Sequence, residues 1–227
     1  MMSIDIFFFR LLYGSHSSVV NTIMLDISTW WVWLPFYLLG ILVVMKNKET
    51  TSKVLVALGF AVLCFALTEV ISDVILKPVV ARSRPLYNPS LSELFLSYPP
   101  LIHPRGYSFC SAHAANMCGV ACYLILLFKN RLATICLTTW ALLACYSRIY
   151  LGAHYPFDVI VGAIIGVAAA FLCHYLMSRL HTTHSLHGRY VSRSLTATGY
   201  SLSDVYALII LIQITYIAII LHSLISA

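Results

Sequence analysis

The amino-acid sequence predicts an all-α membrane protein: a six-transmembrane-helix bundle with a short N-terminal interfacial helix. Three observations predict it. The 227 residues are 60% hydrophobic and only 10% charged, where a soluble domain carries about a quarter charged residues. The apolar residues fall in long blocks rather than in short alternating runs, the pattern of membrane-spanning helices. The charges gather in short segments between those blocks. The length suits one domain, residues 1–227, with no room for a separate soluble one.

The blocks place six spans at 29–45, 54–76, 112–128, 132–150, 156–177 and 204–224. Each suits a hydrocarbon core of roughly 30 Å. Ahead of them, the apolar run from Ile6 to Leu12 is too short to cross and reads as a helix lying at the interface. Asp5 precedes that run, with no basic lead and no small-residue cleavage site, so the opening 28 residues are not expected to be a secretory signal. Local signals agree. Ser111 can cap the third span, Pro156 can sit in the first turn of the fifth, and Ser203-Asp204 can open the sixth. Gly162 and Gly166 form a GxxxG pair, which lets helices approach closely and is expected to serve packing inside the chain. The seven cysteines lie mostly in apolar blocks without a CxxC pair, so no disulfide is expected.

Charge gives an orientation. Lys46, Lys48 and Lys53 follow the first span, Lys129 and Arg131 the third, and Arg179, Arg189 and Arg193 the fifth. These alternate loops share a face, cytoplasmic by the positive-inside rule. The other face then carries the amino terminus, the loop 77–111, the turn 151–155 and the carboxyl terminus. That outer loop nevertheless holds Lys77, Arg82, Arg84 and Arg105 against one acid, Glu93. Topology has no use for cations there, so an anionic ligand is expected. A net charge of +6 spread over short membrane loops suits anionic lipid headgroups, and nucleic acid is not expected as a partner.

Three segments stand at the outer ends of spans: Lys77 to Arg84-Pro85, Cys110-Ser111-Ala112-His113, and Ser147-Arg148 through His154 to Asp158. Lys77, Arg84 and Arg148 are cations suited to phosphate oxygens, the arginines as forks and the lysine as a point charge. Ser111 and the first amides of its helix would add N–H donors to an anion. His154 is placed to attack phosphorus if Asp158, four residues on, accepts a bond from one ring nitrogen and leaves the other bare. His113, from another span, can protonate the leaving oxygen and later deprotonate water. No metal-ligand set accompanies these residues, so no cofactor is implied.

The three segments resemble the type 2 phosphatidic acid phosphatase superfamily, which shares its site with vanadium haloperoxidases. The family pattern is Lys-x6-Arg-Pro, then Pro-Ser-Gly-His, then Ser-Arg-x5-His-x3-Asp. Lys77 to Pro85 and Ser147 to Asp158 fit the first and third. In the second, Cys110 and Ala112 replace proline and glycine, while Ser111 and His113 are kept. The resemblance implies a membrane lipid phosphatase working through a phosphohistidine. His154 would be the nucleophile, Asp158 its orienter and His113 the acid/base. Lys77, Arg84, Ser111 and Arg148 would bind the phosphate. It also implies hydrolysis of a lipid phosphate or diphosphate at the outer (periplasmic) leaflet of the cell (inner) membrane. Undecaprenyl diphosphate, lipid A phosphates, phosphatidate and phosphatidylglycerophosphate are all candidate substrates. A lipid phosphotransferase, or a non-catalytic lipid-binding or transport protein with the same cationic pocket, are the alternatives.

Other residues carry weaker expectations. Glu69, Asp73 and Lys77 share a helical face, so Asp73 is expected to contact Lys77 or a nearby arginine. Arg82, His103 and Arg105 would be solvated or would grip a second phosphate. The stretch Leu94, Phe95, Leu96 and Tyr98 would form an apolar entrance for lipid chains. His181, His184 and His187 read as a polar loop rather than a metal site. The sequence leaves the oligomeric state open.

Overall fold

The computed structural model describes residues 2–14, 17–47, 50–181 and 194–226. Two short helices, α1 (Met2–Leu12) and α2 (Ser18–Ser28), precede a tight 3₁₀ turn at Trp30–Trp33 and α3 (Leu34–Asn47). Then follow α4 (Thr51–Glu69), a π-helical segment (Val70–Leu76) and the single turn α5 (Lys77–Val80). After two 3₁₀ turns and α6 (Ser92–Ser97) come α7 (Ala112–Phe128), α8 (Arg131–Tyr150), α9 (Pro156–His181) and α10 (Leu202–Ile225). No strand is present among the described residues, which make one isolated bridge, between Leu195 and Ser201.

Five stretches are long and apolar enough to cross a bilayer: Trp30–Asn47, the stretch from Thr51, Arg131–Tyr150, Pro156–Leu180 and Leu202–Ile225. The third expected span, 112–128, coincides with α7, which at 17 residues is shorter than the other five. The outward faces are apolar, with Leu55, Val62, Ile160, Ile164 and Ile210 exposed as lipid contact demands. The first span differs from expectation at its start. Trp30–Trp33 winds as 3₁₀ and the α-helix proper begins at Leu34, with Pro35 in its first turn, where its missing N–H costs nothing.

The chain explains its own helix ends. Ser111 caps α7 by accepting from Ala114 N at 3.3 Å, and Asn130 caps α8 through Ala133 N at 2.9 Å. The π segment precedes Pro78, which has no N–H for the Val74 carbonyl and whose ring would clash with it. Widening the preceding turn removes that conflict. Ala81, at φ +48°, then ends α5 in the left-handed region.

Helix α7 forms the centre of the bundle, with Ala114, Ala115, Asn116, Gly119 and Ala121 buried or nearly so. Its small residues let α9 press against it, as the GxxxG pair foretold. A Cβ built on Gly162 would lie 2.3 Å from Ser111 O. One on Gly166 would lie 2.1 Å from Ala115 O and 2.8 Å from Gly119 N. Alanine favours a helix over glycine by about 1 kcal/mol, but here the added methyl overlaps backbone that cannot rotate away, and overpacking costs about 1–3 kcal/mol. Gly166→Ala is therefore expected to lower the melting temperature in detergent; an unchanged melting temperature would show that the two helices separate freely.

Aromatic rings fill the remainder, with Trp33 against Trp140 at 5.6 Å and against Tyr216 at 5.4 Å. At one end Lys46 pairs with Asp204 at 2.7 Å and Asn47 ties to Ser201 and Asp204. The opposite end carries α1, α2, the segment 77–111 and the α8–α9 turn. Helix α2 was not foreseen. It bonds there through Asn21 to Tyr150 at 2.7 Å and through Asp26 to His222 at 2.6 Å.

Candidate active site

The α8–α9 turn sets His154. Arg148 O accepts from both Ala153 N (3.0 Å) and His154 N (3.3 Å), and Gly152 supplies the positive φ of +74° that closes the turn. The ring is 3% exposed. Its Nδ1 lies 2.8 Å from Ser108 O. A carbonyl can only accept, so Nδ1 carries the proton and Nε2 keeps its lone pair. Nε2 faces Arg84 Nη1 at 3.4 Å. Burial, reinforced by the Arg148, Arg84 and Lys77 cations, holds this imidazole well below the usual histidine range, so it stays neutral near pH 7.

Asp158 does not bond to His154, contrary to the sequence expectation: its Oδ2 stands 3.9 Å from Nδ1. The i, i+4 spacing puts two side chains together only when both residues are helical, and α9 starts at Pro156. Asp158, fully buried, instead accepts from the Ser108 hydroxyl, from Tyr155 N at 3.0 Å and from Arg82 Nη1 at 2.6 Å. Ser108 thus joins the carboxylate to the histidine: its hydroxyl bonds Asp158 and its carbonyl takes His154 Nδ1–H. Nothing in the sequence marked Ser108, a lone serine just outside a motif. Arg82, half-buried, spans Asp158 and Asp5 and lies 3.9 Å above the Tyr155 ring.

The phosphate-binding candidates gather at the same end. Arg84, 6% exposed, is fixed by main-chain carbonyls: Nη1 donates to Ala153 at 2.9 Å, Nη2 to Arg105 at 2.9 Å, and Nε to Arg105 and Gly106 at 3.1 Å. Arg148 donates through Nη1 to the Ser28 hydroxyl, while its buried Nε has no hydrogen-bond partner among the described residues. The same holds for His113 Nε2. Lys77 pairs with Asp73 as expected, whereas Glu69 turns to Asn116 on α7. Ser111 is buried, and its N–H donates to Asp158 O at 3.0 Å. The side chains of His103 and Arg105 are exposed. Of the three spaced histidines, His184, His187 and the side chain of His181 lie outside the described residues.

The profile of the PAP2 superfamily matches residues 52–182. The chain belongs to that superfamily. It is 35% identical over 187 residues to a lipid A 4'-phosphatase of Bacteroides thetaiotaomicron, covering 78% of this chain and 80% of that one. It is also 30% identical over 169 residues to an undecaprenyl-diphosphatase of Sulfolobus acidocaldarius, covering 72% and 74%. The fold matches the crystal structure of a transmembrane PAP2-type phosphatidylglycerolphosphate phosphatase from Bacillus subtilis, with a TM-score of 0.61 and 21% identity over 81% of this chain and 89% of the other. It matches Aquifex aeolicus LpxE at 0.56, with 23% identity over 74% and 93%.

As a PAP2 member the chain is a membrane phosphatase. The matched segment contains His154, His113, Asp158, Lys77, Arg84, Ser111 and Arg148. The two motif departures are accommodated. Ala112 is the first residue of α7 and lies outside the positive-φ region, so it has no need of glycine. Cys110, at 0% exposure, fills a buried position.

Proposed function

We propose that this PAP2 enzyme hydrolyses lipid phosphates through a phosphohistidine on His154. The single observation that carries the reading is the placement of that ring, with Nδ1 2.8 Å from Ser108 O, which leaves Nε2 its lone pair, facing Arg84 Nη1 at 3.4 Å. Nε2 attacks phosphorus as the bond to the lipid oxygen breaks, and His113 delivers a proton to that oxygen. Arg84, Arg148 and Lys77, with Ser111 at the helix start, take up charge on the phosphoryl oxygens. Water, giving its proton to His113, then attacks the phosphohistidine. The N–P bond breaks, inorganic phosphate departs and Nε2 recovers its lone pair. Asp158 works indirectly, through Ser108.

Among lipids, the 4'-phosphate of lipid A is the favoured substrate, since relatives named for that activity match at 35% and 28% identity. Undecaprenyl diphosphate is the second reading, on the strength of the relative named undecaprenyl-diphosphatase. The site faces the outer leaflet of the inner membrane, because Lys46, Lys53, Lys129, Arg131 and Arg179 mark the other end as cytoplasmic. Purified protein is expected to release phosphate from lipid A faster than from undecaprenyl diphosphate, phosphatidate or phosphatidylglycerophosphate, and orthovanadate should inhibit it. After turnover of a substrate carrying a radiolabelled phosphate, a rapid acid quench is unsuitable for the intermediate, because a phosphohistidine is acid-labile; denaturation in base should retain label on His154. Label that instead survives acid, or an absence of release from every lipid, would overturn the reading.

A further inference from the structure

We propose that Asp5, on the amino-terminal helix, is a positioning residue for His154, acting through Arg82, Asp158 and Ser108 without touching the phosphate. The inference rests on the reading of His154 as nucleophile. Helix α1 is two-faced. Ile4, Phe7, Phe8 and Leu11 point outward, while Asp5 and Phe9, one turn apart, are 7% and 0% exposed. A carboxylate buried on the inner face of a helix is costly unless fully paired. Asp5 has two partners, both belonging to the site. Its Oδ2 accepts from Arg82 Nη2 at 2.6 Å, and its Oδ1 from Phe157 N at 3.0 Å.

Both contacts bear on His154. Phe157 N is one of the first-turn donors of α9 that the helix itself leaves unsatisfied, and Pro156 before it has none to offer. Asp5 therefore caps from outside the helix that carries Asp158. Arg82 spends its other nitrogen, Nη1, on Asp158 Oδ1 at 2.6 Å. Asp158 Oδ2 receives the Ser108 hydroxyl, and the Ser108 carbonyl receives His154 Nδ1–H at 2.8 Å. The relay runs Asp5, Arg82, Asp158, Ser108, His154, and its members lie far apart in the chain. It starts on a helix whose other face is apolar and exposed. Other contacts dock α1 independently: Arg10 to Ser90 O at 2.6 Å, Tyr13 to Tyr98 O at 3.0 Å, and the Phe9 ring against Tyr155 at 5.7 Å. Losing the Asp5 charge thus loosens the relay without releasing the helix.

The test compares wild type, Asp5→Asn, Ser108→Ala, the double variant and Arg10→Ala, all full length in detergent, with p-nitrophenyl phosphate and lipid A as probes. Asp5→Asn is expected to lower kcat about 10- to 100-fold, the usual range for a group supporting an active residue, with KM within about threefold. The double variant should fall little below the worse single one, since both cut the same relay. Arg10→Ala should stay within about twofold of wild type. The proposal is overturned by a kcat for Asp5→Asn within about twofold of wild type, by a loss confined to KM, or by losses that multiply in the double variant. If Asp5→Asn does not fold, Asp5→Glu, which keeps the charge but shifts it by one methylene, is read by the same kcat and KM criteria. A wild-type activity untouched by His154→Ala would remove the nucleophile reading itself, an outcome distinct from failure of the relay alone.

Discussion

His154→Ala is expected to lower phosphate release at least about 10⁴-fold, in line with the loss of other enzymatic nucleophiles, while lipid binding and melting temperature change little. The ring is buried, but its two polar contacts, Ser108 O and Arg84 Nη1, do not depend on it for their own placement. Arg84 is held by the carbonyls of Ala153, Arg105 and Gly106. The cationic pocket should therefore still gather a phosphate in the variant, which then has nothing to attack it. A binding or transport protein would behave in the opposite way, keeping its function without this imidazole. Phosphate release and lipid retention, measured on the same preparation, separate the two; turnover within tenfold of wild type would exclude the nucleophile.

His113→Ala is expected to lower turnover of lipid substrates by about 10²–10⁴-fold, the usual contribution of an acid/base group, and to change which step is slow. A lipid alkoxide leaves poorly without a proton, so transfer to His154 is impaired. p-Nitrophenol leaves readily as its anion, so transfer from p-nitrophenyl phosphate should survive. Hydrolysis of the phosphohistidine needs a base for water whatever the first substrate was. With p-nitrophenyl phosphate the variant should show a burst of p-nitrophenol followed by a slow steady state, with phosphate held on His154. Rapid mixing resolves this. Equal losses on both substrates without a burst would assign His113 to phosphate binding.

Much of this was legible in the sequence because the signals are local. Two spans start at Ser111 and Pro156, residues whose backbone chemistry starts helices. The pairing of Asp73 with Lys77 followed from one helical turn. What could not be read were contacts with no local pattern. Asp5, Arg82 and Asp158 meet from three distant parts of the chain, and Arg82 was expected to be solvated or to grip a second phosphate because its partners were out of sight. Ser108 acts through a carbonyl as well as a hydroxyl, and a backbone acceptor leaves no mark on residue identity. The expected bond between Asp158 and His154 applied helical spacing to a residue that precedes its helix. Helix α2 was missed because 11 residues containing Asn21 and Asp26 are too short and too polar to suggest a span.

The meeting of α7 and α9 at Gly162 and Gly166 has an evolutionary consequence. His113 opens one of these helices and His154 immediately precedes the other, and main chain rests on main chain between them. On the proposed mechanism, the spacing between these two helix starts is thus set by main-chain atoms common to every residue type. Mutation can remodel the apolar exterior and the segment 77–111 while the distance between those helix starts is kept.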